Sequence, residues 1–200
     1  MTGSTPMPPE SVLPEPQWKD AELLDALLIP ALQGNFPRDS AAFVRIDTSL
    51  RVYWHTLFDI CPQLLELSGP DGLAIFRPFM AWAAQQQLSM NWAVYLWLCR
   101  WLQQSEFAAR VDEELVFTLM AASVARWATG DRSADCGIVL SAAGHGDLLV
   151  GWKCHTPDGG RAIERVGLAT PLPEPDEQFG YFTLPDFALD RFDGWQAVPR

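Results

Sequence analysis

Three residue types common in active sites, His55, Asp59 and Cys61, fall within seven positions of the segment "LRVYWHTLFDICPQLLEL" at residues 50–67. A Cys–His pair would offer nucleophilic catalysis, a His–carboxylate pair acid–base work, and the three together metal ligands. The choice rests on the face of the element that carries each group. Leu50, Tyr53, Trp54, Leu57, Phe58 and Cys61 recur at helical spacing and form a broad apolar face. Arg51, His55 and Asp59 recur every four residues along a different line. Cys61 therefore belongs to the buried face, away from His55, and a nucleophilic Cys–His pair is disfavoured. The Arg51–His55–Asp59 line reads first as a stripe of intrahelical pairs, and second as a ridge facing a partner.

The other candidates are poorer. Cys154 and His155 are adjacent, and on a regular strand neighbours point to opposite faces, so they would not share one ion. His145 stands in a Gly-His-Gly turn. No zinc-spaced Cys or His pairs, P-loop, dinucleotide fingerprint or nucleophile elbow occurs. Asp112 and Glu114 open a helix, where carboxylates suit the positive end of the dipole. The expectation is a chain with no catalytic residues and no metal or cofactor of its own. "MNWAVYLWLCRWL" is apolar almost all round, with Trp92, Tyr95, Leu96 and Cys99 on one stripe and Val94, Trp97 and Trp101 on another. Such a helix is central or is shared with an interface. Arg51, His55, Asp59, Trp97 and Trp101 are accordingly the candidate partner-binding residues.

The 200 residues suit one domain, or one domain with an appendage, and 48% hydrophobic residues with nine Trp supply a core. Against 14 Lys and Arg stand 25 Asp and Glu, a net charge of −11. That balance disfavours nucleic acid and anionic membranes, and it suits either simple solubility or a positively charged partner. The longest apolar run, Trp92–Cys99, is eight residues, well short of a membrane span. The amino-terminal "MTGSTPMPPESVLPEP" has neither basic nor apolar signal region, and the four cysteines are scattered. The expected location is cytoplasmic, with free thiols.

Residues 1–16 hold five of the sixteen prolines and read as a disordered or draped arm. A helical domain is expected over 17–130. It begins with a helix carrying Leu23, Leu24, Leu27 and Leu28 that stops near Pro30. A short helix capped by Asp39 or Ser40 follows, then a separate one from Thr48 capped by Asp47, then one opened by Pro62. Helices at about 72–87, 91–104 and 112–128 complete it, with Pro78 kinking or dividing the first. After residue 131 the period shifts to two: "GIVLSA", "DLLVGWKC" and "RAIERVGL" read as three short strands joined by Gly- and Asp-rich turns. A proline-spaced linker leads to an aromatic tail with Tyr181, Phe182, Phe187, Phe192 and Trp195, expected to wrap back irregularly onto the body. The fold class is α+β: a helical body, then a small antiparallel sheet of about three strands over 131–200.

The strings "FPRDSAAFVRIDTSLRVYWHTLFDICPQLLELSGPDGLAIFRPFMAWA", "WLQQSEF" and "FGYFTLPDFALDRFDGWQAVPR" resemble the MbnC family of methanobactin biosynthesis proteins, from about Phe36 to Arg200. The resemblance implies a partner subunit rather than a free-standing enzyme. MbnC proteins pair with MbnB, a TIM-barrel subunit that holds the iron, and the heterodimer uses dioxygen to convert cysteines of a precursor peptide, MbnA, to oxazolone and thioamide groups. It also implies that the precursor's leader lies along a sheet edge. In a three-stranded meander the edges would be 137–142 and 161–168, so Ile138, Leu140, Ile163, Glu164 and Arg165 become the candidate peptide-binding residues, the second edge preferred. A basic leader would suit the acidic chain. Two further readings stand beside this one: an acidic inhibitor or immunity-type binder of a basic protein, and an enzyme with chemistry around Arg51, His55 and Asp59.

Overall fold

In the computed structural model the described residues are 26, 30–133, 136–144, 147–153, 163–167, 178–184 and 196–200. The proposed arm, the Leu23–Leu28 stripe (apart from Ala26), His145, Cys154, His155, Phe187, Phe192 and Trp195 lie outside them.

After a 3-10 turn at Pro30–Asn35 comes α1, Ala41–Phe58. Ser40 caps it, its hydroxyl oxygen accepting from the Phe43 N–H at 3.1 Å. The two helices expected here are one. With no Gly or Pro between Ala41 and Phe58, nothing stops the helix once Ser40 has started it. Asp47 sits mid-helix instead of capping. Pro62 precedes α2, Gln63–Ser68, and Gly72 opens α3, Leu73–Gln85.

The helix α3 runs unbroken past Pro78. A proline inside a helix costs about 3 kcal/mol. Ile75, Phe76, Phe79, Met80 and Ala83 of the same helix are buried, and at roughly 1.5–3 kcal/mol for each of the larger side chains their burial outweighs that cost. Next come α4, Val94–Gln104, a 3-10 turn at Ala108–Arg110, and α5, Glu113–Gly130. Asp112 caps α5 by accepting from Leu115 N–H at 2.9 Å.

The chain then forms β1, Cys136–Gly144; β2, Asp147–Lys153; β3, Ile163–Gly167; β4, Phe179–Leu184; and β5, Gln196–Ala197. They make one antiparallel sheet in the order β3-β2-β1-β4-β5. The sheet thus has five strands, not three, because the aromatic tail supplies two. The period of the tail was hidden by its flanking prolines and its brevity. Within β4, Tyr181 opposes Val139 and Phe182 opposes Ile138, one on each face.

The helix α5 lies on one face of the sheet, against β1, β2 and β3. A single apolar cluster runs from Leu57 and Phe58 through α3, α4 and α5 to Val139, Leu149, Phe179 and Val198. The opposite face carries its own buried cluster, Ile138, Leu140, Leu148, Val150 and Phe182. Both faces are therefore covered, which explains why β1 and β2 read as nearly continuous apolar runs.

Candidate partner and peptide-binding surfaces

The polar line of α1 divides into two pairs rather than one relay. Arg51 Nε donates to Asp47 Oδ2 at 2.9 Å, one turn back, and His55 Nδ1 meets Asp59 Oδ2 at 3.0 Å, one turn forward. Arg51, His55 and Asp59 are all exposed. Exposed pairs of this spacing contribute only a few tenths of a kcal/mol. Beside them Val44 and Val52, also on α1, are 57% and 59% exposed, so the ridge mixes charge with apolar surface. Cys61 is buried, and its thiol is pushed up to about 11 by burial, partly offset by a backbone hydrogen bond at Leu64. The apolar and polar lines are separate, as the helical spacing requires.

The two tryptophans take different places. Trp97 is buried, with Nε1 donating to the Pro199 carbonyl at 2.9 Å and the Arg100 guanidinium 5.6 Å from its ring. Trp101 is half-buried between Phe79 and Phe107. Trp97 is thus taken up within this chain, and the exposed part of the partner-binding set is Arg51, His55 and Asp59.

The sheet order decides the edges. β1 pairs with β2 on one side and β4 on the other, so the expected edge at 137–142 is interior, and Ile138 and Leu140 sit in the buried cluster of the far face. That correction follows from the two strands of the tail, which add themselves to β1. β3 is the terminal strand of the described sheet and pairs only with β2. Its side chains alternate. Ile163 packs on the main core beside Gly151. Glu164 is exposed. Arg165 is held by Asp147 at 3.2 Å and by a short ion pair with Glu113. Asp147 and Glu113 were not singled out from the sequence. They lie 18 and 52 residues from Arg165, and no local spacing announces either pairing.

A buried charge was also missed. Lys153 ends β2 with no exposed surface, its ammonium donating to Asp131 Oδ2 at 2.7 Å and Ser133 Oγ at 3.0 Å. Among the described residues no group of three or more His, Cys, Asp or Glu side chains is placed to hold a metal ion, and no helix is long and apolar enough to cross a membrane.

A helical body closing one face of a five-stranded antiparallel sheet, with an exposed ridge on α1 and an edge at β3, defines an α+β protein built around surfaces. The family model described as methanobactin biosynthesis cassette protein MbnC-like matches residues 33–199, and the chain belongs to that family. Its role therefore lies in methanobactin biosynthesis. No curated protein matches the sequence.

Proposed function

We propose that this chain is a non-catalytic partner subunit of an iron- and dioxygen-dependent complex that converts cysteines of a ribosomal precursor peptide to oxazolone and thioamide groups. Membership of the MbnC-like family over residues 33–199 carries the reading. An MbnB-type TIM-barrel subunit holds the iron in this proposal, and an MbnA-type precursor lays its leader along β3. Three features support the assignment to β3. It ends the described sheet, so among the described residues one side of its backbone has no strand beside it. Its Glu164 is exposed and offers a carboxylate to a basic leader. Arg165, tied to Glu113 and Asp147, fixes the strand against α5. The exposed ridge of Arg51, His55 and Asp59 is the candidate contact for the iron subunit.

Iron content and peptide titration test the reading together. The chain expressed alone should purify with little iron, and with the barrel subunit it should form a stoichiometric, iron-loaded complex that takes up the precursor. Iron bound stoichiometrically by the isolated chain, or a complex indifferent to the precursor, would count against it. The edge itself is tested by proline at adjacent positions. Backbone N–H groups of consecutive strand residues point to opposite sides, so one of Glu164→Pro and Arg165→Pro removes an outward donor and the other a bond to β2. The outward variant should abolish leader binding while the complex still assembles. Ile163 is the wrong position for this test, because its side chain belongs to the core.

A further inference from the structure

A recess of the described residues lies away from the sheet, between α1, α3 and the turn before α1. It is an open cleft of about 450 Å³ whose lining, among the described residues, includes Arg38, Arg51 and Arg77 but only one carboxylate, Asp47. Asp47 is already paired with Arg51. Arg38 and Arg77 are exposed and have no ion-pair partner among the described residues. Among the described residues two guanidinium charges are thus left without a paired carboxylate, in a chain whose net charge is −11. Apart from Gln33 and Gly34 the remaining lining is apolar and aromatic, with Phe36, Phe76 and Met80 buried and Leu73, at 38% exposure, among the exposed large hydrophobics. Trp54, also in the lining, is fixed by Nε1 donating to the Asp71 carbonyl at 2.8 Å, so this wall is preorganised.

We infer that this cleft is a docking site for an acidic peptide segment of a partner protein, its carboxylates received by Arg38 and Arg77 and an apolar side chain by the aromatic lining. Guanidinium forks match carboxylates in two-point hydrogen bonding, and an apolar floor beside them strengthens each bond by limiting water. The charge excludes the basic leader proposed for β3 from this site, so the inference stands whether or not that assignment holds. The small number of compensating acids in the cleft is what selects an anion. The apolar floor selects a side-chain-bearing peptide over a bare inorganic ion.

Calorimetry on the full chain tests it with a short acetylated, amidated peptide alternating glutamate and leucine. The glutamine–leucine counterpart and inorganic phosphate serve as controls. The glutamate peptide should bind with a dissociation constant of about 1 mM or tighter. It should bind about tenfold more weakly to the Arg38→Gln/Arg77→Gln chain, and more weakly again at about 300 mM than at 50 mM salt. Both substitutions are at exposed positions, and an unchanged melting temperature confirms that the variant is folded. Equal binding of the glutamine peptide, equal binding of phosphate, or no loss in the double variant would overturn the inference. So would binding seen only after residues 1–16 are removed, which would make the chain's own acidic arm the occupant.

Discussion

Lys153, with no exposed surface on β2, places its ammonium 2.7 Å from Asp131 Oδ2, just beyond the end of α5, and 5.4 Å from the Trp127 ring. The strand that pairs with β3 is thereby fastened to the helix that packs on the sheet. Ammonium and Ser133 hydrogen bonds hold the Asp131 carboxyl well below its ordinary value of 3.8. Burial of the lysine is tolerable because its donors meet a carboxylate, a hydroxyl and an aromatic face.

Removing the carboxylate alone leaves the buried Lys153 charge unmatched, whereas Asp131, 44% exposed, can be hydrated when the lysine is lost. Asp131→Asn should therefore lower the melting temperature more than Lys153→Met, which replaces the charge with an apolar chain of similar length. The pH dependence has a fixed sign. A depressed carboxyl contributes stability that is fully present above its ordinary value of 3.8 and is lost as pH falls through the folded value. The difference in melting temperature between the native chain and Asp131→Asn should be flat from about pH 7 to 5 and shrink below about pH 4. A difference that grew on acidification would refute the pairing.

Gly137 on β1 carries a second long-range constraint. A Cβ there would lie 2.5 Å from the Trp127 ring. That ring cannot retreat freely, because it stacks on Trp92 at 4.4 Å and 8° and meets Tyr181 edge-on at 5.5 Å. Gly137→Ala should destabilise by about 1–3 kcal/mol, as overpacking commonly does, and weaken the near-ultraviolet circular dichroism of the tryptophan cluster. Gly34→Ala, where nothing lies within 4 Å, is the control and should shift stability by less than about 1 kcal/mol. Urea unfolding of both variants gives the comparison.

The buried thiols should be inert in the folded chain. Burial pushes Cys61 up to about 11 and Cys99 up to about 12, with the neighbouring Cys61 adding to the rise at Cys99. At pH 8 roughly one Cys61 in a thousand is thiolate, and the reactive form is the thiolate. Site-resolved mass spectrometry after iodoacetamide treatment should find both unmodified natively and both alkylated in urea. Native alkylation of Cys61 at the rate of a free thiol would show that the core just past the end of α1 opens to solvent.

How much of this was legible depends on the range of the interaction involved. Local signals sufficed for α3 through α5, for the acids that open α5, and for β1 to β3, since apolar spacing and turn residues act within a few positions. The division of α1 into two helices failed because Asp47 is as good a cap by type as Ser40, and only the continuous 41–58 segment shows which is used. The edge at Ile138 and Leu140 failed for a nonlocal reason. β4 comes from some 40 residues further along the chain, and its pairing register with β1 is not written in either segment. The separation of Cys61 from the His55 line was readable because it follows from local helical spacing, the Cys61 N–H still bonding the Leu57 carbonyl just past the end of α1. The partners of Arg165 and Lys153 were not, because each lies on another element.

The carboxyl-terminal segment shows the same nonlocality as a force on stability. β5 pairs with β4, Val198 is buried in the main core, and the Pro199 carbonyl accepts from Trp97 Nε1 across 102 residues. These contacts close the sheet against α4 rather than leaving the tail to wrap loosely. Trp97→Phe keeps most of the apolar surface and loses the donor, so it should cost about 0.5–1.5 kcal/mol, plus a smaller packing loss. Val198→Ala should cost roughly 1–3 kcal/mol through lost burial. The two residues act on one docked segment, so the double variant should cost less than the sum of the singles. Denaturant unfolding of the four chains measures that coupling. Strict additivity would mean that the tail does not dock as a unit, and that α4 is held by the other helices alone.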